Sequence, residues 1–64
     1  MDSNFEIDLL DGQAWIVKTI EGIEYSATLT TAEEYGLNAT DTDELIPVPS
    51  DIIAKAYALE EEQA

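Results

Sequence analysis

Two glycines bracket one apolar stretch and leave this chain few folds to choose from. Gln13 to Ile20 reads Gln-Ala-Trp-Ile-Val-Lys-Thr-Ile, rich in β-branched and aromatic residues. Asp11-Gly12 precedes it and Glu21-Gly22 follows it. Asp-Gly suits a two-residue type I′ hairpin, in which both central residues need positive φ, and Glu-Gly is a weaker form of the same signal. Gln13–Ile20 is therefore expected to be the middle strand of a three-stranded antiparallel sheet, with strand one at Phe5–Leu10 and strand three at Ile23–Leu29.

Two-residue turns dictate the pairing. Around Asp11-Gly12, Leu9 faces Ala14, Asp8 faces Trp15, Ile7 faces Ile16 and Glu6 faces Val17. Around Glu21-Gly22, Thr19 faces Glu24, Lys18 faces Tyr25, Val17 faces Ser26 and Ile16 faces Ala27. Directly opposed residues share a face. One face collects Phe5, Ile7, Leu9, Ala14, Ile16, Lys18, Ile20, Ile23, Tyr25, Ala27 and Leu29. The other collects Glu6, Asp8, Leu10, Gln13, Trp15, Val17, Thr19, Glu24, Ser26 and Thr28. The two turns, set independently, agree on which face is greasy, and a one-residue slip in either hairpin would mix the faces. Lys18 is the polar exception, its stem packing between Phe5 and Tyr25 and its ammonium reaching the rim.

Beyond the sheet, Thr30 with Glu33 and Thr31 with Glu34 fit the capping-box spacing, and Gly36 suits a helix end, so a short helical turn is expected there. Leu37 to Pro49 reads as an acidic loop with at most a helical turn near Thr42–Leu45, held extended by Pro47 and Pro49. A last helix is expected from about Ser50 to Glu62. Asp51 lies in its first turn, and Ile52, Ile53, Ala56, Tyr57 and Leu59 form an apolar stripe to cover the greasy face. The expected class is α+β: one domain over 1–64, a three-stranded meander packed against a C-terminal helix, with 1–4 and 62–64 frayed.

The charge stands apart from this ordinary plan. Fifteen Asp and Glu face two Lys, for a net charge of -13 over 64 residues. Such an imbalance suits disorder when hydrophobicity is low. Here 45% of residues are hydrophobic and they alternate cleanly, which favours a folded domain. Self-repulsion opposes that fold, so something other than folding keeps the charge. A compact chain of this length has a radius of gyration of ~11 Å and a diameter of roughly 28 Å. Duplex DNA of that length holds about 16 negative charges. There is no long apolar run and no basic, apolar leader, so the expectation is a cytoplasmic protein with no membrane contact.

Catalysis has little support. The chain has no Cys and no His, so Ser and Cys nucleophile systems lack their base. Paired carboxylates can hydrolyse glycosides, but a domain this small has little room for a cleft. An EF-hand loop starting at Asp41 would need Gly at Ile46 and Glu at Ile52, and neither is present. No enzyme activity, cofactor or metal is expected.

The acids divide by position. Glu33, Glu34 and Asp51 are expected near helix N-termini, where the dipole favours them. Glu60, Glu61 and Glu62 close the last helix, where it does not. Glu6, Asp8 and Glu24 lie on the outer sheet face, where they also guard against edge pairing. Asp11 and Glu21 mark opposite ends of the sheet, and Asp41, Asp43 and Glu44 the loop. Trp15 and Val17 sit among acids on the central strand. Either Leu45, Ile46 or Val48 folds over them, or Trp15 is an aromatic anchor inside a charged rim.

Glu33-Glu34-Tyr35-Gly36 and Val48-Pro49-Ser50, followed by an apolar helix in a short acidic chain, resemble the small phage-encoded anti-CRISPR proteins, chiefly those directed at type I systems. The likeness covers about the C-terminal half, with 38–46 interposed. Several members of that family mimic double-stranded DNA and bind the basic surface by which an effector complex engages target DNA near its PAM. The resemblance implies a non-enzymatic inhibitor, acting in the host cytoplasm on a Cas subunit of a type I effector. It would not bind nucleic acid itself and would be a monomer or weak homodimer. Its DNA-mimicking acids would be drawn from Glu6, Asp8, Asp11, Glu21, Glu24, Glu33, Glu34, Asp41, Asp43, Glu44, Glu60 and Glu61. A generic acidic interaction module, an antitoxin-like partner, or an ordinary protein of a high-salt cytoplasm are the other readings of the same charge.

Overall fold

Both hairpin turns have the backbone the sequence asks of them. The computed structural model describes residues 5–63. Asp11 and Gly12 have φ of 54° and 79°, and Glu21 and Gly22 have φ of 51° and 82°. These values match a type I′ turn, whose twist follows that of the flanking strands. The three strands they join are β1 (Glu6–Leu10), β2 (Gln13–Ile20) and β3 (Ile23–Thr28). Their register is the expected one, with Asp8 opposite Trp15, Ile7 opposite Ile16, and Lys18 opposite Tyr25.

The sheet is larger than expected. Leu37–Ala39 forms β4 and Thr42–Ile46 forms β5, so the order is β1-β2-β3-β4-β5, all antiparallel. The stretch expected to be loop is thus a third, irregular hairpin. Leu37 pairs with Ile46 and Ala39 with Thr42, turning at Thr40 and Asp41, with a register shift between the pairs. Leu37 is fully buried, which anchors the hairpin. The Thr42 hydroxyl accepts a 3.2 Å hydrogen bond from the Glu44 N–H, so the stretch expected to hold a helical turn is strand closed by a local side-chain contact.

Strand three ends one residue early. Leu29 begins helix α1 (Leu29–Glu34) and is buried, together with Ala32 one turn on. Thr28 is the N-cap residue, with extended backbone, and its side chain makes no capping bond to the backbone. Its hydroxyl instead lies 3.2 Å from that of Thr31. The expected capping boxes at Thr30 and Thr31 are therefore not formed, because the helix starts before both. Gly36 takes φ 103°, and its N–H is shared between the Thr31 and Ala32 carbonyls at 3.2 and 3.0 Å.

Helix α2 (Ser50–Gln63) follows Pro49, whose carbonyl accepts from Ile52 and Ile53 at 3.1 and 3.2 Å. It runs one residue beyond the expected end, with Glu62 helical. The expected fraying of 1–4 and of Ala64 lies outside the described residues. Ile53 and Ala56 are buried, with Ile52 and Leu59 half-buried beside them. Tyr57, expected on this stripe, is 43% exposed. It stands ~100° around the helix from Ala56, which takes it off the covered face.

Both helices pack on the greasy face, against Ala14, Ile16, Tyr25, Ala27 and Leu37. Alanines at 14, 27, 32 and 56 bring helix and sheet backbones close. Lys18 behaves as expected, with its ammonium 4.8 Å from the centre of the Phe5 ring. No described residue of the outer face is buried.

Candidate interaction surface

The outer face of β1–β3 is built by the same alternation that builds the core. Glu6 stands directly opposite Val17, and Asp8 opposite Trp15. Glu24 stands opposite Thr19. Opposed side chains start about 5 Å apart at Cβ, so each of the two outward-facing apolar residues of β2, Trp15 and Val17, has a carboxylate for its neighbour on β1. Glu6, Asp8 and Glu24 are exposed, and Trp15 and Val17 are half-buried. A shallow hollow lined by Glu6, Val17, Lys18 and Thr19 opens beside them. Ile46 and Val48, two of the three residues expected to cover Trp15, pack against the core instead. Leu45 remains 50% exposed, and Leu10 on the outer face is 58% exposed.

The remaining acids gather at the two ends of the sheet and on the helices. Glu21 occupies one hairpin turn, and antiparallel topology returns the Thr40–Asp41 turn to that same end, beside Glu24. Asp43 and Glu44 follow on β5, both exposed. Asp11 occupies the turn at the other end. Glu33 and Glu34 lie in the last turn of α1, not its first, so the dipole explanation expected for them does not hold. Asp51 does lie in the first turn of α2. Glu61 is exposed on the final turn.

Glu60 has a different task. Its Oε2 accepts a 2.8 Å hydrogen bond from the Ala14 N–H. In this register Ala14 directs its N–H toward β3, where residue 29 would pair with it. The chain has already turned into α1 there, so the Glu60 carboxylate replaces the missing strand. Glu60 follows Ala56 by four residues and so shares the covered stripe. That spacing is the sequence signal for its role, hidden because Glu60-Glu61-Glu62 reads as one solvated run.

Glu33 is also engaged, accepting from the Tyr57 hydroxyl at 2.6 Å. This bond, with smaller contributions from desolvation and from the charges of Glu33 and Glu60, raises the Tyr57 pKa above its usual 10.0. Phenol held protonated in the folded state contributes stability below pH ~10, and the contribution is lost as pH rises through the higher folded value. Tyrosinate absorbance should therefore show one late-titrating phenol that disappears in Tyr57→Phe. Unfolding curves of parent and variant should differ most near neutral pH and converge at high pH. A pH-independent difference would refute the linkage.

Among the described residues, no group of three or more potential ligands is placed to hold a metal ion. None of their helices is long and apolar enough to cross a membrane. The fold and face define an α+β protein: a five-stranded antiparallel meander, two helices on one side, an acid-rimmed apolar strip on the other. The chain matches no protein-family model, no curated protein and no solved structure.

Proposed function

We propose that this protein is a non-enzymatic inhibitor that mimics double-stranded DNA. It occupies the basic DNA-binding surface of a nucleic-acid-binding protein. The resemblance of Glu33–Gly36 and Val48–Ser50 to type I anti-CRISPR proteins names the target as such an effector complex near its PAM-recognition site. The supporting observation is the density of fixed carboxylates on an ordered body. A net charge of -13 sits on a chain of extents 33 × 24 × 20 Å, with acids on strands and tight turns as well as on helices. Duplex DNA 33 Å long carries about 19 charges, which is the same order. A groove lined with Lys and Arg would exchange its counterions for this surface much as it does for phosphates. DNA itself would be repelled.

The test is competition on a purified type I effector complex. Target DNA and this protein should exclude one another, and affinity should fall steeply with added salt. The triple variant Glu6→Gln, Asp8→Asn, Glu24→Gln should bind at least about tenfold more weakly while keeping the parent circular dichroism. Binding to the complex that DNA does not displace, or that the triple variant leaves unaltered, would remove the mimicry. Unfolding of the parent protein at low salt would favour a high-salt adaptation instead.

A further inference from the structure

Trp15 and Asp8 form one recognition unit, and we infer that it is built to receive an arginine side chain of the basic partner. The inference rests on the mimicry reading and says which face docks and which cation it selects. A mimic of phosphate alone needs only carboxylates, and acids are present at both ends and on both helices. The outer face of β1–β3 adds something they lack. Asp8 and Trp15 are a directly opposed pair, as are Glu6 and Val17 one step along the strands. Each carboxylate therefore adjoins an apolar surface on a rigid central strand.

Guanidinium fits that pairing better than ammonium. It is planar and weakly hydrated, it stacks on an aromatic face, and its fork matches a carboxylate with two parallel N–H donors. Lysine is a hydrated point charge that gains from the acid but little from the indole plane. Among the described residues neither lysine takes the place, since Lys55 lies on α2, which packs on the other side of the sheet. Lys18, the one lysine of the sheet, lies on the opposite face, with its ammonium over Phe5. A second copy is opposed by charge, because two such faces would set Glu6, Asp8 and Glu24 against their own equivalents on a protein of net charge -13. Complementarity selects a cationic protein surface in which arginines alternate with apolar residues.

The chain has a single Trp, so its emission reports this face alone. Arginine and lysine homopeptides of equal length should be titrated into the intact protein at low salt. Both should bind, the arginine peptide about two- to fivefold more tightly for each stacked side chain. Only the arginine peptide should strongly perturb Trp15 emission and protect it from acrylamide. Trp15→Leu, which removes the fluorophore and is therefore titrated by calorimetry, should abolish the preference while leaving lysine-peptide affinity unchanged. Asp8→Asn, an exposed and conservative substitution, should reduce the preference without changing the fold. Equal affinities, or saturation with no change in Trp15 emission, would overturn the arginine unit and leave the polyanion reading intact. Failure of both peptides to bind would overturn the two together.

Discussion

Gly36→Ala is expected to cost about 3 kcal/mol, the largest effect of a methyl group added at any of the three glycines. Two causes act together. Gly36 has φ 103°, a conformation side-chain-bearing residues rarely adopt. A Cβ built there would stand 2.5 Å from the Ile46 carbonyl oxygen and 3.0 Å from its carbon. Both are backbone atoms, so no side-chain rotation relieves the contact. Either α1 or the end of β5 must move, and Leu37, next to Gly36, is fully buried. Domains of this size have about 3–10 kcal/mol in total, so the variant should be largely unfolded or melt near ambient temperature. Gly12 and Gly22 supply the control. They also have positive φ, but nothing lies within 4 Å of a Cβ at either. Alanine there should cost only about 1 kcal/mol, the left-handed penalty alone. Denaturant titration of the three variants separates strain from collision. Equal losses would mean that the approach of Gly36 to Ile46 does not constrain the fold.

The same glycines explain how much of the structure was readable in advance. The register of β1 to β3 was legible to the residue, although β1 starts one residue later and β3 ends one residue earlier than expected, because two independent constraints coincided: a turn that admits few residue types, and an alternation that only one register keeps unmixed. The hairpin β4–β5 had neither. Its turn is Thr40–Asp41, with no glycine, and its strands carry Asn38, Asp43 and Glu44, which read as solvated loop. What orders it is non-local: burial of Leu37 in the core and pairing of Asn38 with Ser26 of β3. α1 was displaced for a similar reason. The threonine-glutamate spacing pointed to Thr30 or Thr31, but burial of Leu29 and Ala32 starts the helix earlier.

The candidate surface was legible to a similar degree. Glu6, Asp8, Glu24 and Trp15 follow from strand parity and stand where parity puts them. Glu60 does not, since its carboxylate is used within the fold. Its role depends on β3 leaving the sheet at Thr28, a tertiary event with no local signature. The acids of the chain are thus not equivalent. Glu33 and Glu60 have partners within the molecule, whereas Glu6 and Asp8 are exposed beside apolar residues. On the proposed mimicry, binding energy should concentrate on the second pair even though all four contribute to the net charge.

Ile16→Ala should be nearly as costly as Gly36→Ala, and it tests the assignment of faces directly. Ile16 and Leu37 are the two largest fully buried side chains, and Ile16 lies opposite Ile7 and Ala27 beneath the helices. The four buried alanines around the core cannot extend to refill the space, and the backbones they hold close cannot move far inward. Truncation of buried Ile to Ala costs about 2–5 kcal/mol, rising with the cavity that remains, and this site should fall mid-range at about 3 kcal/mol. Ile16→Val should cost about 1 kcal/mol. Val17 is the matched comparison. It is the next residue on the same strand, equally β-branched, and differs in pointing outward and in being half-buried. Val17→Ala should cost under about 1 kcal/mol. Trp15 fluorescence follows unfolding in all three, and the midpoint should shift with the slope unchanged. If neighbouring positions 16 and 17 lost stability equally, the sheet would have no inside and no outside. The carboxylates of β1 would then lose the fixed outward placement on which the proposed mimicry rests.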